Sequence, residues 1–254
     1  MNIVVCSSRG KCLLPLNERE DTRVIVHGGG KIPKLTREAT KILKDYKHFS
    51  GPKFVYFVAG LPDITTKASR HFWMKGHRHT YEEVSFQGSI EGNAQRVINI
   101  IRASSQAILA ENAIPVYCTI IPCDIEIWNH IRLSQHRTSH LTHFHQYESM
   151  QESLLKSIRS INQFILHHNS QNQVATPKIT LRVFYKRKSS WRFRSGRLTD
   201  GVHPDSRIEK SIRKKIIKIL DTNLTRYSPK EQNRPESADS GSDSDTSCKR
   251  SWIY

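Results

Sequence analysis

In 254 residues the chain carries 40 Lys and Arg against 23 Asp and Glu, a formal charge of +17. That length suffices for one domain with a real core, and the basic field favours polyanions: nucleic acid, acidic membrane surfaces or phosphorylated partners. No window approaches the length of a membrane span, and the start MNIVVCSSRGK lacks a charged leader with a signal-length apolar run. Five cysteines (Cys6, Cys12, Cys118, Cys123, Cys248) form no C-x-x-C pair. The expectation is reduced thiols in an intracellular protein, cytoplasmic or nuclear and not secreted.

Asn2 to Cys6 is a short apolar run that stops at small polar residues, as a buried strand does. Thr22 to Val26 repeats the pattern and ends in His27-Gly28-Gly29-Gly30. A helix follows with Leu35, Ala39, Ile42, Leu43 and Tyr46 on one face. Lys53 to Ala59 is a third strand, rich in aromatics and valine, ending at Gly60-Leu61-Pro62-Asp63. From about Thr65 to Gln87 no clean period emerges, so an irregular excursion is expected. Ile90 to Asn112 reads as a long amphipathic helix, and Ile114 to Ile121 as a fourth strand ended by Pro122. An irregular, histidine-rich piece runs to about Gln146. Tyr147, Met150, Leu154, Ile158, Ile161 and Ile165 then mark a helix. In Lys178 to Tyr185, Ile179, Leu181 and Val183 alternate with Thr180, Arg182 and Phe184, which suits a fifth strand at an edge.

Strands alternating with helices predict an α/β fold: a flavodoxin-like three-layer sandwich, its five-stranded parallel sheet in the order 2-1-3-4-5 with helices on both faces. The domain spans 1–227. From 228 to 254 the chain is Ser/Asp-rich with almost no apolar residues, and a disordered tail is expected.

In such sheets the ligand sits beyond the carboxyl ends of the strands. The distinctive residues fall there: Ser7 and Ser8 after the first strand, the glycines after the second, Gly60 to Asp63 after the third. A further motif, Arg197 to Asp205, follows the fifth. It sets Asp200 three residues before His203 and opens a last helix, with Ser206 and Glu209 spaced as a capping box ahead of Ile208, Ile212, Ile216 and Ile219. An aspartate beside a histidine fixes its tautomer and lets it act as a general base toward a hydroxyl.

These blocks, in this order, resemble the SGNH or GDSL-type hydrolases, flavodoxin-like serine hydrolases that act mostly on esters. The resemblance covers roughly residues 2 to 222. It would place the Gly-Asp-Ser block on Cys6-Ser7-Ser8, with Ser8 as nucleophile. It would make Gly29 an oxyanion donor, with Gly28 or Gly30 as alternatives in register. Its Gly-x-Asn-Asp block falls on Gly60-Leu61-Pro62-Asp63, adding Gly60 to the oxyanion site, and its Asp-x-x-His on Asp200 and His203. The first block has lost its Gly and Asp. The third has Pro62 where the family uses Asn, so one oxyanion donor is missing. The resemblance implies an ester hydrolase without cofactor or metal.

A second reading is a catalytically weak module of this type that binds RNA or other single-stranded nucleic acid. Altered members of the family occur in mobile elements, viruses and RNA-binding relatives such as the C-terminal domain of Oskar. Here Arg182, Lys186, Arg187, Lys188, Arg192, Arg194 and Arg197 interleave with Phe184, Tyr185, Trp191 and Phe193, with no acid among them. Cations would contact phosphates and aromatics would stack on unpaired bases.

Other features carry less. His130, His136, His140, His143 and His145 fit no metal-site spacing and read as a polar loop. Gly28-Gly29-Gly30-Lys31 lacks the rest of a P-loop. Cys6, a rival nucleophile, reads as packing at the end of a buried strand.

Overall fold

The computed structural model describes residues 1–74, 76–86, 88–134, 144–187 and 190–227. In chain order the elements are β1 (Asn2–Cys6), β2 (Thr22–Val26), α1 (Ile32–Asp45), β3 (Phe54–Val58) and the single turn α2 (Leu61–Ile64). A pair of strands, β4 (Thr66–Met74) and β5 (His77–Ser85), precedes α3 (Ile90–Leu109), β6 (Ile114–Tyr117), α4 (Ile125–Ser134) and α5 (Phe144–Gln171). The pair β7 (Phe184–Arg187) and β8 (Ser190–Phe193) and the helix α6 (Ser206–Tyr227) complete the fold.

The central sheet is wholly parallel, in the order β2-β1-β3-β6. Every residue of β1 and β3 is buried, because both faces are covered. Side chains alternate across the sheet and so divide into two cores. Ile3, Val5, Val55 and Phe57 meet Leu35 and Ala39 of α1, Val97 and Ile101 of α3, and Leu154 and Ile161 of α5. Val4, Cys6, Phe54 and Tyr56 meet Leu13 and Leu16 of the 3-10 run Ser8–Glu18, and Ile212, Ile216 and Leu220 of α6. The result is the expected three-layer α/β sandwich.

The sheet has four strands rather than the five expected. Thr180–Val183 is a 3-10 turn, and β7 pairs antiparallel with β8 instead of joining the sheet. The reason lies along the outer edge of β6. Ile114 and Cys118 donate their N–H groups inward to Lys53 and Phe57 of the β3 side. Outward, Pro115 has no N–H to offer. Tyr117 N–H donates to Asn169 Oδ1 at 3.1 Å, Asn169 Nδ2 returns a bond to the Tyr117 carbonyl at 2.8 Å, and Thr119 N–H donates to Pro177. Two turns of α5 earlier, Asn162 does the same for both backbone groups of Ile120. Buried asparagines on a helix thus satisfy the edge that a fifth strand would have paired.

Within both stretches expected to be irregular, the described residues include regular elements. Strands β4 and β5 form an antiparallel ribbon, anchored at its base where Asn129 of α4 bonds both the N–H and the carbonyl of Val84 at 2.8 Å. After Pro122, Asp124 caps α4 by accepting from Ile127 N–H. Of the histidine cluster, His136, His140 and His143 lie outside the described residues, as does the side chain of His145, while His130 is exposed on α4. Residues 228–254, the expected tail, also lie outside them.

Candidate active site

Strand β1 delivers the chain to the crevice. Ser7 N–H donates to the Val58 carbonyl, and at Ser8 the backbone winds into the 3-10 run. The turn needs Gly10, since a Cβ there would lie 2.2 Å from that of Cys6. Arg9, buried beside Ser8, donates to the carbonyls of Ile121 and Pro122, the latter at 3.1 Å, and so ties the turn to the chain leaving β6. Burial draws its guanidinium down to about 10, which leaves it charged at neutral pH.

The second arm of the site is the loop before α6. Thr199 N–H donates to the His203 carbonyl and Asp205 N–H to that of Arg197, closing a compact turn. Gly201 has φ +76°, and a Cβ there would stand 2.7 Å from both Asp124 O and Trp128 N, so only glycine lets this loop dock on α4. The cap of α6 is Asp205, whose Oδ1 accepts from Ile208 N–H at 2.7 Å; Ser206 is the first helical residue rather than the expected cap.

These two arms meet. His203 Nε2 lies 3.1 Å from Ser8 Oγ, and His203 Nδ1 lies 2.7 Å from Asp200 Oδ2. Asp200 Oδ1 accepts from the backbone N–H groups of Val202 and His203 at 3.0 and 2.7 Å. Burial alone would raise the Asp200 carboxyl, but the bonds from His203 and Val202 outweigh it and hold the group below its ordinary range. An ionised Asp200 can only accept, so Nδ1 carries the imidazole proton and Nε2 is free to accept from the serine hydroxyl. Arranged in this way, serine, histidine and aspartate can pass a proton from a nucleophilic hydroxyl to a leaving group.

Ser8 and His203 open onto a cavity of about 520 Å³, lined also by Gly29, Lys31, Leu61, Pro62, Thr65, Thr66, Lys67, Val84, Cys123, Trp128 and Val202. Gly29, at φ +64°, has open space where a Cβ would be. Gly60, at φ +114°, is absent from the lining, and a Cβ on it would meet Ile120 Cδ1 at 2.5 Å. Asp63 faces inward. Both its oxygens accept from Ile32 N–H, tying α2 to the start of α1, and burial pushes its carboxyl up to about 6. The rival nucleophile Cys6 is buried with Sγ against the Gly10 and Ile25 carbonyls, and burial with Cys12 nearby pushes its thiol up to about 12. It is neutral at physiological pH and unsuited to attack.

The side chains of Arg182, Lys186, Arg187, Trp191 and Arg192 in the basic-aromatic stretch lie outside the described residues. Arg182 falls in the 3-10 turn, Lys186 pairs in register with Trp191 and Arg187 with Ser190, and Arg192 pairs with Tyr185. Lys188 lies outside the described residues. Arg194 is exposed, and Arg197 reaches Asp205 at 3.5 Å. Neither Arg194 nor Arg197 is among the described residues that line the cavity. Conversely, Lys31, Lys67, Val84 and Trp128 were not picked out by spacing. They belong to four different elements or loops and share only the fold's crevice.

No protein-family model matches the chain, and no curated protein matches it in sequence. Solved structures do match its shape. One assigned as an acylhydrolase from Bacteroides fragilis shares 13% identity over 88% of this chain and 87% of its own, at a TM-score of 0.54. A GDSL-like lipase from Bacteroides thetaiotaomicron shares 10% identity over 89% of this chain and 88% of its own, at 0.50. A protein assigned to the lipolytic G-D-S-L family, from Desulfitobacterium hafniense, shares 11% over 86% and 99%, also at 0.50. The chain therefore has a divergent SGNH/GDSL-type hydrolase fold. At such identities the likeness speaks for the fold alone.

Proposed function

We propose that this protein is a serine hydrolase that cleaves a carboxylic ester. The observation that carries the reading is the continuous chain from Ser8 Oγ through His203 to Asp200, at 3.1 and 2.7 Å. In the proposed reaction, Ser8 Oγ attacks the ester carbonyl as His203 Nε2 takes its proton. The tetrahedral oxyanion faces the backbone N–H groups of Gly29 and Ser8. His203 then returns the proton to the departing alcohol, and water repeats the sequence to release the acid. Asp200 keeps the imidazole in the required tautomer and stabilises it while charged.

Pro62 presents no donor toward the cavity, so the oxyanion is held by fewer groups than the resemblance implies, and a modest turnover is expected. Hydrolysis of 4-nitrophenyl acetate tests the reading. The wild type should turn it over, and Ser8→Ala should lower kcat by roughly 10³-fold or more. Equal rates in the two proteins would refute it and leave the nucleic-acid-binding module, for which RNA binding that weakens steeply with salt is the corresponding assay.

A further inference from the structure

The cavity beside Ser8 is uneven in charge. Two lysines line it, Lys31 two residues beyond Gly29 and Lys67 on the second residue of β4, and no carboxylate is among its described lining residues. Its one thiol, Cys123, is pushed up to about 11 by burial and is neutral. The carboxylates nearby are engaged: Asp200 holds His203, and Asp63 holds Ile32 N–H. Leu61, Val84, Trp128 and Val202 supply apolar surface to the same cavity.

The two lysines differ in how they are held. Lys31 is exposed, and among the described residues its ammonium makes no hydrogen bond or ion pair, although its charge is felt by the Asp63 carboxyl. Lys67 Nζ sits 2.8 Å from Glu82 and 5.9 Å from the Trp128 ring centre. Both members of that pair are more than half exposed, at 55% and 57%, so the pair is weak and an anion in the cavity can compete for the ammonium. A chain of formal charge +17 also draws anions toward any open crevice.

We infer that the substrate is an amphiphilic ester that carries an anionic group, a carboxylate or phosphate, away from its scissile bond. Lys31 is the principal contact of that group and Lys67 the second, while the apolar part of the substrate lies against Val84 and Trp128. The inference rests on the hydrolase reading and names the substrate class of that site.

The test compares kcat/KM within pairs that differ in charge. On the alcohol side the pair is 4-carboxyphenyl acetate and its neutral 4-carbamoyl counterpart, with 4-phosphonophenyl acetate to separate carboxylate from phosphate. On the acyl side the pair is 4-nitrophenyl adipate and 4-nitrophenyl hexanoate. The wild type should favour the charged member of at least one pair by about tenfold, and added salt should shrink the preference. Lys31→Gln with Lys67→Gln should bring the ratio toward unity, and Lys31→Arg should preserve it. Equal kcat/KM within every pair, in a protein whose Ser8 reacts with a fluorophosphonate, overturns the inference and leaves the hydrolase standing. No reaction at Ser8 overturns both. An equal loss on charged and neutral esters in Lys31→Gln would place that lysine at the oxyanion and likewise overturn the inference.

Discussion

At Pro62 a ring faces the cavity where the resemblance to SGNH hydrolases leads one to expect an asparagine amide. The loss of one oxyanion donor costs about 2.7–4 kcal/mol of transition-state stabilisation in enzymes that use such donors. Pro62→Asn should therefore raise kcat on an activated ester, by roughly tenfold or more. Steady-state rates on 4-nitrophenyl acetate measure this, and an unchanged or lower rate would show that the amide has no place in this crevice. Ser8, Asp200 and His203 were legible as residues because each sits at a strand end or in a turn marked by glycine. Their neighbours were not. Lys31, Lys67 and Trp128 look like ordinary surface or helix residues until the crossovers bring them to one cavity. Spacing identifies Gly60 as a glycine, but only packing shows that Ile120 occupies the space a side chain there would need.

Between elements, polar side chains do what additional strands were expected to do. Helices α1, α3, α5 and α6 were readable because their apolar residues recur every three or four positions, and β1 and β3 because they are apolar throughout; α4 lies in a stretch expected to be irregular and was not. The supposed fifth strand misled because Ile179 and Val183 are indeed buried, but in the core beneath α6, one just before and one within a 3-10 turn rather than in a strand. The ribbon β4–β5 was hidden for the opposite reason, since a two-stranded element with much of its surface exposed has no buried face to impose alternation. Asparagines 162 and 169, which close the β6 edge, carry no sequence signal that marks them as strand partners. The α3–α5 seam beside them holds a pH-sensitive contact. His168 Nε2 lies 2.9 Å from Ser105 Oγ and 3.3 Å from Asn172 Nδ2, with the ring stacked on Phe164. Burial, then His167 and Arg102, lower its imidazole below the ordinary 6.5. The folded chain thus takes up this proton less readily than the unfolded one. The stabilisation from neutral His168 is full above the ordinary value and lost as pH falls through and below it. Thermal melts from about pH 7.5 to 5 should show Tm falling with acid, and His168→Gln should flatten that slope; an identical slope in the variant would contradict the assignment.

Over the whole molecule, two cores divided by one parallel sheet hold the tip of β1 and the loop before α6 at the same edge, though 195 positions separate Ser8 from His203. The general architecture was legible because strands and helices alternate along the chain, and the number of strands was not, because edge satisfaction is a tertiary matter. In the proposed reading, Lys31 and Lys67 give the crevice a preference for anionic esters, and the hydroxyl, imidazole and carboxylate would carry the chemistry. The claim on which the rest depends is that Ser8 is an activated nucleophile. Incubation with a fluorophosphonate, followed by peptide mass mapping, tests it most directly. A single phosphonyl adduct on Ser8 that fails to form in His203→Ala is expected; an unmodified Ser8 in the wild type, or equal modification in both proteins, would rule out an activated serine.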